Sequence, residues 1–201
     1  MDCININDIL NRNELFNEVK NKLNEIYKNK KNMKIKLDKK DKILCAKYRP
    51  GHFEGVLAVI NQFLINIKPK FIFLGEKDYQ QIFLIKSFFK RKFKTKIVKC
   101  KTVRLNNMLP YSSRNLLLSK NEIKIASSVS RCIYKFYLSI KKNFNNRLKI
   151  KKVKKSIESK IIKIDYFEIR NKLNLSKNFN KKDFKIFIAY ELNGIRLIDN
   201  F

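Results

Sequence analysis

The chain has 201 residues, 47 of them Lys or Arg and 17 Asp or Glu, for a formal net charge of +30 and an isoelectric point near 10.1. That balance excludes an acidic or halophilic protein, and 44% hydrophobic residues with 16 Phe and 8 Tyr exclude wholesale disorder. The length suits one generous domain or two small ones. Residues 1–24 read as a polar, partly amphipathic helix around Ile9, Leu10, Leu15, Phe16, Val19 and Leu23, with no evident chemistry. Met33 to Leu37 alternates apolar residues with Lys, as a half-exposed strand does. The turn-rich Arg49-Pro50-Gly51-His52-Phe53-Glu54-Gly55 leads into Val56, Val59, Ile60, Phe63, Leu64 and Ile67, the spacing of a buried helix face, which Pro69 ends. Phe71 to Leu74 reads as a short buried strand, and a helix through Ile82, Phe83, Leu84, Ile85 and Phe89 follows. Lys96 to Val103 is the next strand, so helices and strands alternate as in a parallel α/β sheet.

A loop then runs through Asn106, Asn107 and Pro110 to Tyr111-Ser112-Ser113-Arg114-Asn115. Ser119 and Glu122 form a capping box ahead of Ile123, Ala126, Val129, Ile133, Phe136 and Ile140, a helix. From about Asn145 the chain turns Lys-rich, which places a domain boundary there. A helix near Lys151 to Ile162, a strand at Ile164 to Ile169 and two closing strands around Phe184 to Tyr190 and Ile195 to Ile198 make a small α+β unit.

The cations are 38 Lys and 9 Arg, spread along the whole chain. Such dispersal reads as a charge-inflated surface, because nucleic-acid binders concentrate charge and favour Arg. The dense runs Lys86 to Lys101 and Lys149 to Lys160, with Phe88, Phe89 and Phe93 interleaved, leave one alternative: a basic module that binds nucleic acid without sequence preference. Cys3, Cys45, Cys100 and Cys132 contain no CxxC pair, so no zinc or redox site is expected and the thiols suit a reducing, cytoplasmic setting. Asp2 and Asp8 interrupt any apolar leader, and Val56 to Ile67 is too short to span a bilayer, so no membrane partner is expected.

Glycine occurs only at 51, 55, 75 and 194, and so sparing a chain is expected to keep it where the backbone requires it. Gly75 lies at the carboxyl end of a predicted strand, where open α/β sheets bind ligands. Lys77 beside it suits a phosphate, and Asp78 a ribose hydroxyl or a metal-bound water. Ser112, Ser113 and Arg114 add hydroxyls and a guanidinium for phosphate oxygens. Together, on loops after successive strands, these residues point to a nucleoside triphosphate, without a Walker loop or GxGxxG.

Arg49-Pro50-Gly51-His52-Phe53-Glu54-Gly55, Gly75-Glu76-Lys77-Asp78-Tyr79-Gln80-Gln81, Thr102-Val103-Arg104, Ser112-Ser113-Arg114-Asn115 and the closing Arg196-Leu197-Ile198-Asp199-Asn200 closely resemble, in order and spacing, the pantothenate synthetase (pantoate–beta-alanine ligase) family. Glu25-Ile26-Tyr27 and Ile43-Leu44-Cys45 resemble it too, so the similarity runs from about Glu25 to Phe201. The resemblance implies a Rossmann-like nucleotidylyltransferase-type α/β domain over 25–110 and a hinge with a small α+β lid domain over 111–201. It also implies ATP-dependent condensation of pantoate with beta-alanine through a pantoyl adenylate, with Mg²⁺, in a homodimer. Carried over by position, Gly75, Glu76, Lys77 and Asp78 hold ATP, with Lys77 on the phosphates and Asp78 near the ribose. Val103 contacts adenine through its backbone, and Tyr111, Ser112, Ser113 and Arg114 close on the triphosphate. Lys77, Ser112, Ser113 and Arg114 are the expected catalytic groups, stabilising charge on the reacting phosphate. Gln81 binds pantoate, Val59 and Ile60 line its pocket or serve as plain helix core, and His52 lies on the pantoate and beta-alanine side or is a structural imidazole.

The chain also departs from the family pattern. The family's HxGH and NPxQF motifs are expected ahead of Glu25 and are not found, so the nucleotide-binding domain is expected to be incomplete at its start. A downstream piece of a longer gene is the favoured explanation over a split enzyme or a remnant, and an uncovered sheet edge predicts poor solubility of the isolated chain. In the lid, the family's Asp-Gly-Leu-Ala reads Asn107-Met108-Leu109-Pro110, and Tyr111 stands for a small apolar residue or Met.

Overall fold

The computed structural model describes residues 35–201 and position 21. The predicted helix of residues 1–24, Glu25-Ile26-Tyr27, Met33 and Cys3 otherwise lie outside the described residues. Ile35 and Leu37 are buried and Lys36 is exposed, so the predicted alternation is real. The segment is nevertheless extended chain without a described strand partner rather than a strand.

A one-turn helix, α1 (Cys45–Tyr48), precedes α2 (His52–Ile67). Gly51 joins them at φ 78°, a left-handed conformation open to glycine at little steric cost. The predicted turn is therefore shorter than expected, and His52 already begins the helix. The buried stripe of α2 is Phe53, Leu57, Asn61 and Leu64, while Val56, Val59, Ile60 and Phe63 are half-buried and Ile67 is exposed. A segment apolar on most of its circumference carries little periodic signal, so the predicted face was rotated.

Lys68 in left-handed conformation and Pro69 end α2. Strand β1 (Phe71–Gly75) pairs in parallel with β2 (Lys96–Cys100) in the register Phe71↔Lys96 to Gly75↔Cys100, and α3 (Tyr79–Phe89) makes the crossover. β1 is covered on one face only, for Phe71 and Phe73 are 42% and 65% exposed. β2 stops at Cys100, short of the predicted Val103.

The capping box forms as predicted: Glu122 N–H donates to Ser119 Oγ at 3.3 Å and Ser119 N–H donates to the Glu122 carboxylate at 2.7 Å. It starts α4 (Lys120–Lys142), which buries Ala126, Val129, Ile133, Phe136 and Ile140. α5 (Ile150–Ile157) ends before Ile162, which instead opens β3 (Ile162–Asn171) by pairing with Leu192. β4 (Phe184–Leu192) and β5 (Ile195–Asn200) complete an antiparallel sheet in the order β3-β4-β5. Asn193 and Gly194, both at positive φ, make the two-residue turn between β4 and β5.

Both faces of β4 are buried. Ile186, Ile188 and Tyr190 enter a core with α4 and α5, whereas Phe187 and Ala189 enter a second core with α1, α2 and α3. The antiparallel sheet is thus a middle layer, which explains the unbroken apolar run of its central strand. A bulge between Ile164 and Tyr166 shifts the phase of β3, turning Tyr166 to the second core and Phe167 to the first. Among the described residues, no helix is long and apolar enough to cross a membrane.

Candidate active site

The segment Gly75-Glu76-Lys77-Asp78 leaves the carboxyl end of β1 and enters α3, so a strand end and a helix start present it together. Lys77, Asp78 and Gln81 share a cleft with Arg49, just after α1, and His52 at the start of α2. A second cleft is lined by Lys77 with Ser112, Arg114, Asn115 and Asp199. Lys77 stands in both, together with Ile198 and Asp199 of the last strand, and so lies where the predicted substrate and phosphate sides meet. A larger apolar groove lined by Leu64, Phe83, Phe89, Phe93 and Ile97 includes none of these residues.

The electrostatics are cationic. Burial pushes the Lys77 ammonium below its ordinary range, with Arg114 adding to the fall and Asp78 opposing it. Burial also lowers His52, helped by Arg49, Arg196 and Arg114, so the imidazole favours its neutral form. Arg49 Nη1 donates to His52 Nε2 at 2.7 Å, and because guanidinium only donates, the neutral ring carries its proton on Nδ1. Gln80 is buried beside this cleft and donates to the Ile43 carbonyl at 2.7 Å, while its Oε1 has no partner among the described residues. The site offers converging positive charge and one exposed carboxylate, Asp78, which suits a polyanionic ligand with hydroxyls.

The remaining predicted residues divide. Arg114 Nη1 donates to the Arg196 carbonyl at 2.8 Å, and Ser112 Oγ accepts from the Arg114 N–H at 3.3 Å, fixing the turn from Ser113 to Leu117. Tyr111 N–H donates to the Val103 carbonyl at 3.0 Å, so these two side chains, 61% and 66% exposed, sit side by side. Ser113 is exposed, and Glu76 turns to Lys99 at 3.7 Å. Val59 and Ile60 line neither cleft, and Ile60 packs on the second core. Gly75 requires a correction. Its φ of −70° is ordinary and an added Cβ would meet nothing within 4 Å, so the fold itself does not demand glycine there. Gly51 and Gly194, at φ 78° and 82°, are the positions whose backbone does. Among the described residues, no group of three His, Cys, Asp or Glu could hold a metal ion.

Sequence reasoning passed over several groups that shape the site. Cys45 Sγ lies 3.0 Å from Tyr166 Oη, and Arg196 bridges Cys45 to Asp165, which it meets at 2.8 Å. Arg104 grips Asp199 with two bonds of 2.8 Å and lies 4.0 Å over the Phe201 ring. The Ile43-Leu44-Cys45, Thr102-Val103-Arg104 and Arg196 to Asn200 motifs contain Cys45, Arg104, Arg196 and Asp199, but none of them names a partner.

The family model described as pantoate-beta-alanine ligase matches residues 16–201. The chain belongs to the pantoate–beta-alanine ligase family. The match opens nine residues before Glu25, within the stretch read as uninformative. A pantothenate synthetase of Francisella tularensis subsp. mediasiatica is 39% identical over 160 residues, 79% of this chain and 53% of the relative. One from Leptospira interrogans is 36% identical over 170 residues, 83% of this chain and 60% of the relative. The chain therefore spans just over half the length of these curated relatives. The crystal structure of a Francisella tularensis pantoate-beta-alanine ligase complexed with beta-gamma ATP and beta-alanine is similar at TM-score 0.70 and 34% identity, over 88% of this chain and 60% of that one. A Thermus thermophilus pantothenate synthetase shares the fold at TM-score 0.77, with 89% and 66% covered. A parallel sheet with helices and a small antiparallel C-terminal unit is thus the ligase-family fold in this chain. Nothing supports the nucleic-acid reading: Phe89 is buried, and Phe88 and Phe93 pack edge-on against it rather than offering faces to bases.

Proposed function

We propose that the chain carries the ATP and substrate site of a pantoate–beta-alanine ligase, making pantothenate through pantoyl adenylate. A carboxylate oxygen of pantoate bonds to the α-phosphorus of ATP, the α–β bridge breaks and pyrophosphate leaves with the electron pair. The amine of beta-alanine then adds to the acyl carbon, loses a proton and displaces AMP. In this reading Lys77, Ser112, Ser113 and Arg114 hold the triphosphate and stabilise its developing charge, and Asp78 faces the ribose. Val103 contacts adenine through its backbone, Tyr111 closes on the triphosphate, Gln81 holds pantoate and neutral His52 lies on the pantoate and beta-alanine side.

The observation that carries this reading is the placement of Lys77 at the junction of two clefts, with Gln81 and His52 in one and Ser112 and Arg114 in the other. Bound Mg²⁺ would neutralise triphosphate charge. The described residues offer it Asp78 rather than a cage of carboxylates, a donor set that fits an ion arriving on the phosphates. Residues 25–110 as the nucleotide-binding unit, 111–201 as hinge and lid, a homodimer and a cytoplasmic setting complete the proposal. Release of AMP and pyrophosphate that requires both pantoate and beta-alanine tests the reaction. Lys77→Ala should weaken ATP binding by about tenfold to a hundredfold, as loss of a charged hydrogen-bond donor does. Unchanged affinity would remove the mapped phosphate site.

A further inference from the structure

The two residues before Phe201 hydrogen-bond both the Gly75–Asp78 loop and Arg104, the residue that follows Val103. Asn200 Nδ2 donates to the Glu76 carbonyl at 3.0 Å and to the Lys77 carbonyl at 2.8 Å. In a trans peptide the N–H points opposite to the C=O, so holding these two carbonyls turns the N–H groups of Lys77 and Asp78 away from Asn200. Asn200 is itself held, for its N–H donates to Asp199 Oδ1 at 2.7 Å and its carbonyl accepts from Arg104 Nη2 at 3.1 Å.

Asp199 is the hub behind it. Both its oxygens accept from Arg104 at 2.8 Å, and Ser130 of α4 adds a bond at 3.2 Å. Arg104 follows Val103 directly and donates to the Met108 carbonyl at 2.9 Å, in the loop that leads to Ser112. Asp199 also lines the cleft that holds Lys77, Ser112 and Arg114. Asp199 and Asn200 are buried, so water does not compete for these bonds.

We infer that Asn200 is a positioning residue for the Gly75–Asp78 loop, and that the Arg104–Asp199 pair sets Asn200 and thereby couples the loop to the Val103–Arg114 segment. The nucleotide part of this inference rests on the proposed function, whereas the loop-holding part does not.

The test is Asn200→Asp, which keeps shape but replaces the amide donor with a group that repels two carbonyls, compared with Asn200→Ala in the full chain. Hydrogen exchange of the peptide containing residues 76–80 should accelerate about tenfold, as expected for two lost hydrogen bonds, while exchange in α4 stays as in the wild type. ATP affinity should fall by a similar factor. Unchanged exchange at residues 76–80 in both variants overturns the inference. A wild-type chain that shows no ATP binding removes the nucleotide reading and leaves exchange as the deciding measurement. Should both variants lose the near-ultraviolet dichroism of the native chain, Arg104→Lys, which breaks the two-pronged grip one step away, must show the same local acceleration for the inference to stand.

Discussion

The two sheets of this molecule are built on opposite terms. The parallel pair β1 and β2 is covered on one side by α2 and α3, and its other face leaves Phe71 and Phe73 open. The antiparallel sheet is covered on both sides, and its central strand serves two cores at once. The candidate site residues nevertheless gather on the sparser side, at the carboxyl end of β1, and their loop is hydrogen-bonded to the denser one through Asn200, which Arg104 and Asp199 hold. A site placed on loops of a lightly packed unit gains order from a rigid neighbour, which is why the last strand matters to the first.

Breaking the link between the regions should have the largest effect. Arg104→Ala strips Asp199 of its cation while leaving the carboxylate buried, and unfolding by urea should show a loss of about 3–5 kcal/mol. Truncating the middle layer comes next: Ile188→Ala in β4 should lose about 2–5 kcal/mol in the same assay. Phe73→Ser on the open face should cost little by comparison, and a Phe73 variant that destabilises as strongly as Ile188→Ala would erase the contrast drawn here.

A change in the opposite direction sharpens the comparison. Met108 holds φ at 75°, in the stretch Asn107-Met108-Leu109-Pro110 where the family pattern carries glycine. Met108→Gly should relieve a left-handed backbone and, after the added chain entropy of glycine, stabilise by about 0.5–1 kcal/mol in thermal melts. The smallest effect is a pH dependence. His52 has its pKa lowered by burial and by its arginines, so below pH 6.5 the unfolded chain takes up the proton first. Stability should therefore fall as pH drops from 6.5 toward the folded value, and His52→Gln should flatten that slope in denaturation midpoints measured from pH 8 to 5.

Part of this architecture is legible in the sequence alone. The Ser119 and Glu122 pair announced α4 because a capping box is local chemistry, and Pro69 with Gly75 bracketed β1 for the same reason. The face of α2 was not readable, since Val56, Val59, Ile60 and Phe63 offer as much apolar surface as Phe53 and Leu57. Nor was the bulge at Asp165, which depends on what β4 places opposite. In the site, Lys77, Gln81, Ser112 and Arg114 were legible as residue types in spaced motifs. Gly75 is not required by its own backbone, and Asn200 stands in a closing motif that assigns it no role.

By itself the sequence determined the order of helices and strands, the loops that carry charge and hydroxyls, and membership of a family, because these rest on neighbours in the chain. Only the tertiary structure decided that Lys77 lies on two clefts, that burial and Arg49 disfavour the charged form of His52, and that Asn200 grips carbonyls more than a hundred residues away. Those outcomes depend on which side chains are buried together and must satisfy one another's hydrogen bonds. Burial is a property of the folded whole.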